Sequence, residues 1–445
     1  MEIDIEKLAE QNPWWKEKEA IERDYDIEKW SARRYKWVPR FIDEIGLEPF
    51  ALHILLGPRQ TGKTTAVKLL IRKLLKENDA RGVFYFNCEE LGSFEELIEV
   101  IGAYLYYRES CGLTKSLIIL DEVTSPKEWY RGIKSLIDKG RLKNDVVLLT
   151  GSSSIAVKRE VELFPGRRGK GRDFVLLPLS FRGFLGVVNP KLCEKIKPIS
   201  TIGELEKKTA AAMPYLGELN KELSKFMKYG GFPLSVEAVG GDNEEAKRTC
   251  LSWIKTAVLK AERSDLIARQ VLSAMIEKMP SPMSWEGVSK EIEIKSPKTV
   301  AAYADLLKSM FSLIVLYNVD VSGKRIRFGK NKKVHIADPL LLEVFEGWCL
   351  TSAKNRENLL AETLVVSHLS RMFPERIFFW KNGFEIDAVV LDKGSLLGFE
   401  VKWSENPEAK RSLPQLKSFV LITKRDFSPK PLAVPLAVFL SLLDA

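Results

Sequence analysis

The chain has 445 residues, 45% of them apolar, and a formal net charge of +9. That length exceeds one ordinary core and points to several domains, and the charge favours a polyanionic partner, with nucleic acid and specifically DNA as the expectation. Five cysteines without a CxxC pair and only three histidines argue against a disulfide framework or a zinc site. No apolar run is long enough to span a membrane, and the opening Met-Glu-Ile-Asp-Ile-Glu is acidic, unlike a signal peptide. The expected setting is a reduced cytoplasm, with no membrane partner.

Residues 1–50 are charged and aromatic. An Asn-Pro-Trp-Trp corner lies at 12–15, helical spacing runs from about Ile27 to Ile45, and Trp14 and Trp15 read as packing anchors. Residues 51–180 alternate short apolar strands with amphipathic helices. The strands are expected at Ala51–Leu56, Gly82–Asn87, Ser116–Asp121 and Asp145–Gly151, and the helices at Lys63–Glu77, Phe94–Tyr107 and Trp129–Lys139. That alternation predicts an α/β core with a parallel sheet covered on both faces. Residues 181–265 are mostly helical and interrupted by Gly-Gly-Phe-Pro at 230–233. Residues 266–334 read as three helices and a basic hairpin, and residues 335–445 return to mixed helix and strand.

Gly57, Pro58, Arg59, Gln60, Thr61, Gly62, Lys63, Thr64 and Thr65 fit the pattern GxxxxGK[ST] between a strand and a helix. Backbone N–H groups there would face the phosphates of ATP, Lys63 would reach the β and γ phosphates, and the Thr64 hydroxyl would ligate Mg2+. The apolar strand that ends in Asp121-Glu122 supplies the expected partners: Asp121 holds Mg2+ through water and Glu122 polarises the attacking water. A further strand ends in Thr150-Gly151-Ser152-Ser153-Ser154. In a sheet of this order it lies beside the first strand, which makes Ser152 and Ser153 candidates for sensing the γ-phosphate. The compact basic run from Pro165 to Arg172 leaves three roles open. Arg167 or a neighbour could reach ATP on another copy of the chain, the run could touch nucleic-acid phosphates, or it could be a solvated loop.

Ser284–Ile292 reads as a short helix, Ile292–Lys295 as its turn, and Ser296-Pro297 as the capped start of Lys298–Met310. The hairpin that follows carries Lys324, Arg325, Arg327, Lys330, Lys332 and Lys333. A helix beside a basic hairpin suits duplex backbone contact; the same shape also serves as a protein-contact or lid element. Further on, Lys393-Gly394 is the predicted turn between two apolar strands. Positions summing to 787 then oppose one another, so Asp387 faces Glu400 and Glu385 faces Lys402, all on one face. Carboxylates that close repel, and a divalent cation between them relieves the repulsion. Lys402 could orient or deprotonate a metal-bound water.

The signatures at 57–65, 120–122 and 150–154, together with Leu-Pro-Leu-Ser-Phe-Arg at 177–182, Gly-Gly-Phe-Pro at 230–233 and Ala-Asp-Pro at 337–339, resemble those of AAA+ P-loop ATPases, in particular a prokaryotic group common in archaea. Asp387…Glu400-x-Lys402 resembles the PD-(D/E)XK nuclease core. Glu362, on the expected helix Glu357–Met372, matches that core's helix-borne acid, although Ile386 stands where it usually has proline.

The resemblance implies a multidomain α/β chain: an N-terminal extension at 1–50, a P-loop AAA+-type parallel-sheet core at 51–190 and a helical lid at 191–265. A winged helix at 266–334 and a C-terminal restriction-endonuclease-like α/β domain at 335–445 complete it. The leading expectation is an ATP-hydrolysing enzyme acting on DNA. In it Glu362, Asp387 and Glu400 hold Mg2+ or Mn2+, and Asp387, Glu400 and Lys402 carry cleavage. The alternative is an ATP-dependent switch or scaffold with a silent C-terminal domain that binds protein or DNA, and a DNA-binding regulator is a third. A homo-oligomer and a protein partner both stay open.

Overall fold

The computed structural model describes residues 5–151, 164, 166–294, 296–404 and 414–444. The chain divides into two compact units, Met1–Leu177 and Pro178–Ala445. Among the described residues no helix is long and apolar enough to cross a membrane.

The first unit is built on a parallel sheet of β1 (Ala51–Leu56), β2 (Val83–Asn87), β3 (Leu117–Asp121), β4 (Val146–Gly151) and β5 (Asp173–Val175), in the order β2-β3-β4-β1-β5. β1 and β4 are buried along their whole length, as near-continuous apolar strands between helices must be. The register pairs Leu56 with Gly151 and Leu120 with Leu149, which brings the C-terminal ends of β1, β3 and β4 level. Sequence reading omits β5: three residues with exposed ends give no apolar run.

The long helix expected from Ile27 to Ile45 is instead two short ones, Tyr25–Ser31 and Phe41–Glu44. Pro39 disfavours helix at the residue before it, and the intervening chain folds back so that Trp30 Nε1 donates to the Trp37 carbonyl at 2.9 Å. Trp14 and Trp15 are anchors: both indole N–H groups donate to Val83 O, at 2.9 and 3.1 Å.

The second unit joins a helical region to an eight-stranded sheet. Its strands are β6 (Leu313–Asp320), β7 (Arg325–Ile336), β8 (Ile377–Asn382), β9 (Phe384–Asp392), β10 (Ser395–Lys402), β11 (Ser418–Thr423), β12 (Ser428–Pro429) and β13 (Leu432–Pro435), in the order β12-β13-β11-β10-β9-β8-β6-β7. Three of the matched motifs meet here. Asp338 accepts from Gly231 N at 2.8 Å and from Leu340 N at 2.9 Å, which caps the helix Pro339–Cys349. Gly231 O in turn accepts from Leu179 N at 2.8 Å. A Cβ on Gly231 would stand 2.0 Å from Leu179 O, so only glycine lets these segments close.

Three helices, Asp265–Lys278, Trp285–Glu291 and Pro297–Ser309, precede the β6–β7 hairpin as expected. Pro297 opens the third, but the Ser296 hydroxyl makes no capping bond; Lys295 lies outside the described residues. Met283 bridges Lys332 through two 2.8 Å backbone bonds.

Candidate active site

The P-loop turns from β1 into the helix Lys63–Leu74, with Gln60 at φ 65° and Gly62 at φ 83°. Lys63 is buried, and its Nζ donates to Gly57 O and Pro58 O, each at 3.1 Å. Thr61 Oγ1 donates to Pro58 O at 2.8 Å and tightens the loop. Burial pushes the Lys63 ammonium below its ordinary pKa, with Glu122 and Asp121 pulling the other way.

Asp121 and Glu122 stand at the end of β3. Thr64 Oγ1 donates to Asp121 Oδ2 at 2.8 Å, and Glu122 Oε1 lies 4.0 Å from Lys63 Nζ. Asp121 also accepts from the Tyr85 hydroxyl at 3.1 Å and from Thr150 Oγ1. The same Thr150 oxygen accepts from Glu122 N at 3.0 Å, which holds Glu122 at φ 48°, a left-handed backbone unusual for glutamate. Every hydrogen-bond partner of the Asp121 carboxylate described here is a hydroxyl. Among the described residues the carboxylate therefore has hydroxyl donors that orient it and no hydrogen-bonded cation, with the Lys63 ammonium acting on it through space, which suits a water-mediated hold on Mg2+ beside the Thr64 hydroxyl.

Sequence reading overlooked Thr150 and Tyr85. Their signal is positional: Thr150 is one step beyond the Leu120–Leu149 pair, and Tyr85 is two residues before the end of β2. The proposed sensors Ser152 and Ser153 lie outside the described residues, as does Pro165. Arg167 is engaged within its own unit, its Nε 2.6 Å from Asp138 Oδ1. Arg168 pairs with Asp173 at 2.6 Å, and Lys170 pairs with Glu48. The basic run thus spends much of its charge on neighbouring carboxylates.

In the second unit the predicted hairpin register holds from Ser395–Asp392 to Phe399–Ala388, pairs that sum to 787, and the ladder ends there, one residue before Asp387 and Glu400. Glu362 projects from the helix Arg356–Met372 toward Glu385 and Asp387 of β9, beside Glu400 of β10. These four, with Lys402 and Trp403, line a cleft of about 590 Å³. Asp387 Oδ2 accepts from Val401 N at 2.8 Å, and Lys402 Nζ is 2.7 Å from Glu400 Oε1.

One placement corrects the sequence reading. Lys333, expected among the basic groups of the hairpin, is 1% exposed and sits in this cluster. Its Nζ lies 2.7 Å from Glu385 Oε1 and 3.0 Å from Asp387 Oδ1, and it also pairs with Glu362. The outer part of β7, Arg325 to Asn331, is exposed while Lys333 to Ile336 are buried, so one strand runs from solvent into the core. Burial alone would lower the Lys333 ammonium, but Glu362, Asp387 and Glu385 more than offset it and hold it above its ordinary value. Glu362 is pushed up to about 8 by burial, opposed by Lys333 and reinforced by Asp387 and Glu385.

As arranged, these carboxylates do not fit a divalent ion: one ammonium already occupies the space between three of them. Among the described residues no group of three or more His, Cys, Asp or Glu is placed to hold a metal.

The outer part of β7 is the exposed part of the hairpin. Tyr317 pairs with Lys332 but Asn318 pairs with Arg327, so Phe328, Gly329, Lys330 and Asn331 stand out of the ladder. Phe328 is 63% exposed on this protrusion, between Arg327 and Lys330.

Residues 50–185 match the family model of the AAA domain. With the sheet order and the P-loop, that match supports an AAA-type ATPase core over residues 50–185. Residues 357–433 match a domain of unknown function (DUF4143). An uncharacterized protein of Methanocaldococcus jannaschii is 25% identical over 381 residues, covering 82% of this chain and 78% of its own. Among solved structures, the Walker-type ATPase of Pyrococcus abyssi overlays 77% of this chain and 97% of its own, at 14% identity and a TM-score of 0.38. The ORC2 protein of Aeropyrum pernix overlays 70% and 90%, at 14% identity and a TM-score of 0.36. Overlays this loose leave the family match and the site geometry as the grounds for the ATPase fold.

Proposed function

We propose that the chain is a Mg2+-dependent ATP hydrolase whose ATPase works on DNA through the β6–β7 hairpin, with a C-terminal domain that binds without cutting. The observation that carries the reading is the junction of the P-loop with the end of β3. Lys63 rests on two loop carbonyls from which a triphosphate would recruit it, and Thr64, Asp121 and Glu122 stand around it. Gly57 to Thr65 bind the phosphates through backbone N–H groups. Mg2+, held by Thr64 and through water by Asp121, would supply neutralisation of phosphate charge. Glu122 orients the attacking water and accepts its proton, and Thr150 fixes the directions of Asp121 and Glu122.

The DNA part of the reading rests on the net charge of +9 and on the exposed Arg325, Arg327, Lys330 and Phe328 of a hairpin beside the helix Pro297–Ser309, in the manner of a winged helix. Cleavage by Asp387, Glu400 and Lys402 is not part of the proposal, because Lys333 stands where that chemistry needs a metal.

ATP turnover measured with and without duplex DNA at low salt tests both parts. Lys63→Ala is expected to abolish turnover, and substantial hydrolysis by that variant would refute the site. DNA is expected to stimulate the wild type, and the double variant Arg325→Ala, Lys330→Ala should lower the salt slope of DNA binding by about 1–2. Absence of any DNA binding at low salt would leave an ATP-driven switch with a protein partner.

A further inference from the structure

Four carboxyl groups, those of Glu362, Glu385, Asp387 and Glu400, share one cleft in the second unit. Gathered without a counter-charge they would repel strongly. Among the described residues, three lysine side chains stand against them. Lys333 bridges Glu362, Glu385 and Asp387; Lys402 pairs with Glu400 at 2.7 Å; and Lys381 pairs with Glu385 at 3.0 Å.

Lys333 differs in kind from the other two. It is 1% exposed, it arrives from β7 rather than from β8 or β10, and its neighbour Val334 and the residues up to Ile336 are buried with it. An ammonium has three donors, which matches the three carboxylates Lys333 meets. Four carboxyl groups against three ammonium groups leave one formal negative charge.

We propose that Lys333 is a built-in cation that takes the place of a divalent metal in this cluster, so that the C-terminal cleft of the resting protein neither needs nor admits one. The hairpin that reaches DNA and the strand that neutralises the cluster are then two ends of β7. This rests on the non-cleaving reading of the C-terminal domain, but metal binding and DNA cleavage are separate measurements and can fail separately.

The test is a titration of the full nucleotide-free chain with Mn2+, read by the electron paramagnetic resonance signal of the free ion, for wild type, Asp387→Asn, Lys333→Met, and Lys333→Met with Asp387→Asn. Removing one positive charge from contact distance should strengthen Mn2+ binding by more than about tenfold. Wild type is expected to bind no ion at the cluster. Lys333→Met should gain one ion per chain, and the double variant should lose it again.

A Lys333→Met chain that unfolds in EDTA and is restored by Mn2+ would also support the proposal, since the ion then does the work of the ammonium. A wild-type Mn2+ site that Asp387→Asn removes would overturn it and revive the nuclease reading. A Lys333→Met chain that folds without gaining an ion, or stays unfolded with and without Mn2+, would overturn it too. DNA cleavage by a wild type that binds no Mn2+ would instead refute the non-cleaving reading and leave the lysine assignment standing.

Discussion

Asp121 and Asp387 are both aspartates on strands of a sheet, both at least nine-tenths buried, and both matched to metal-binding patterns by sequence. What differs is the company each keeps. Asp121 accepts from the hydroxyls of Thr64, Tyr85 and Thr150, so it is oriented by neutral donors, with the Lys63 ammonium acting on it only through space. Asp387 accepts from one backbone N–H and from the Lys333 ammonium, so its charge is already met inside the fold. A carboxylate at a motif position thus says less about chemistry than the donors that satisfy it. Hydroxyls leave room for a cation; an ammonium is one.

The largest expected effect separates the two sites by stability. Lys333→Met in EDTA leaves buried carboxylates without their shared cation, and should destabilise the second unit by about 3–5 kcal/mol in denaturant unfolding. Unchanged stability would mean that the ammonium is replaceable by water and that the contrast with Asp121 is false. Next in size, Asp121→Asn should lower ATP turnover by about 100-fold or more, on the scale of losing one well-placed electrostatic group. Asp387→Asn should leave basal ATP turnover at the wild-type value. Equal losses in both variants would show that the second cluster takes part in hydrolysis after all.

The difference between the sites was only half legible in the sequence. The P-loop, the strand that ends in Asp121-Glu122 and the 787 register follow from local rules: a glycine turn between strand and helix, an apolar strand, a two-residue hairpin. The same rules find β1 residue for residue and the helix Phe94–Ser110 to within three. They miss whatever depends on a partner far along the chain. Lys333 looks like one more basic group of the hairpin, because nothing near it in sequence reports that β6 pairs with β8 and carries β7 to the carboxylates. Thr150 looks like a strand residue until the parallel register sets it beside Asp121. The end of the long N-terminal helix was lost for the opposite reason: helical spacing persisted past Pro39, where the backbone cannot follow it.

The pH dependence of stability sharpens the comparison further. Glu362 has its folded pKa raised to about 8, from an ordinary 4.5. A raised carboxyl contributes stability that is fully present below about pH 4.5 and is lost as pH rises through about 8. The loss reaches at most about 1.4 kcal/mol per pH unit. Glu362→Gln cannot titrate, so its stability relative to wild type should improve steadily from pH 5 to pH 8.5. Asp338, pushed up to about 6 by burial, titrates in both proteins and cancels from the difference. A flat difference would mean that Lys333 keeps Glu362 ionised throughout, and that the cluster holds one more negative charge than its cations meet.

Thr150→Val carries the smallest expected effect and the most specific one. The substitution keeps the shape of the side chain and removes one oxygen, which both donates to Asp121 and accepts from Glu122 N. Asp121 keeps its bonds from Thr64 and Tyr85, so nucleotide binding should persist with KM within about twofold. Glu122 loses the acceptor that holds its backbone at φ 48° and is free to relax, which misplaces the group assigned to the attacking water. One such bond is worth about 1 kcal/mol, or roughly a fivefold fall in kcat. A fall in kcat with KM unchanged places Thr150 behind the catalytic carboxylates as their positioning residue. A rise in KM at constant kcat would place it with the P-loop, and the hydroxyl company of Asp121 would then serve binding alone.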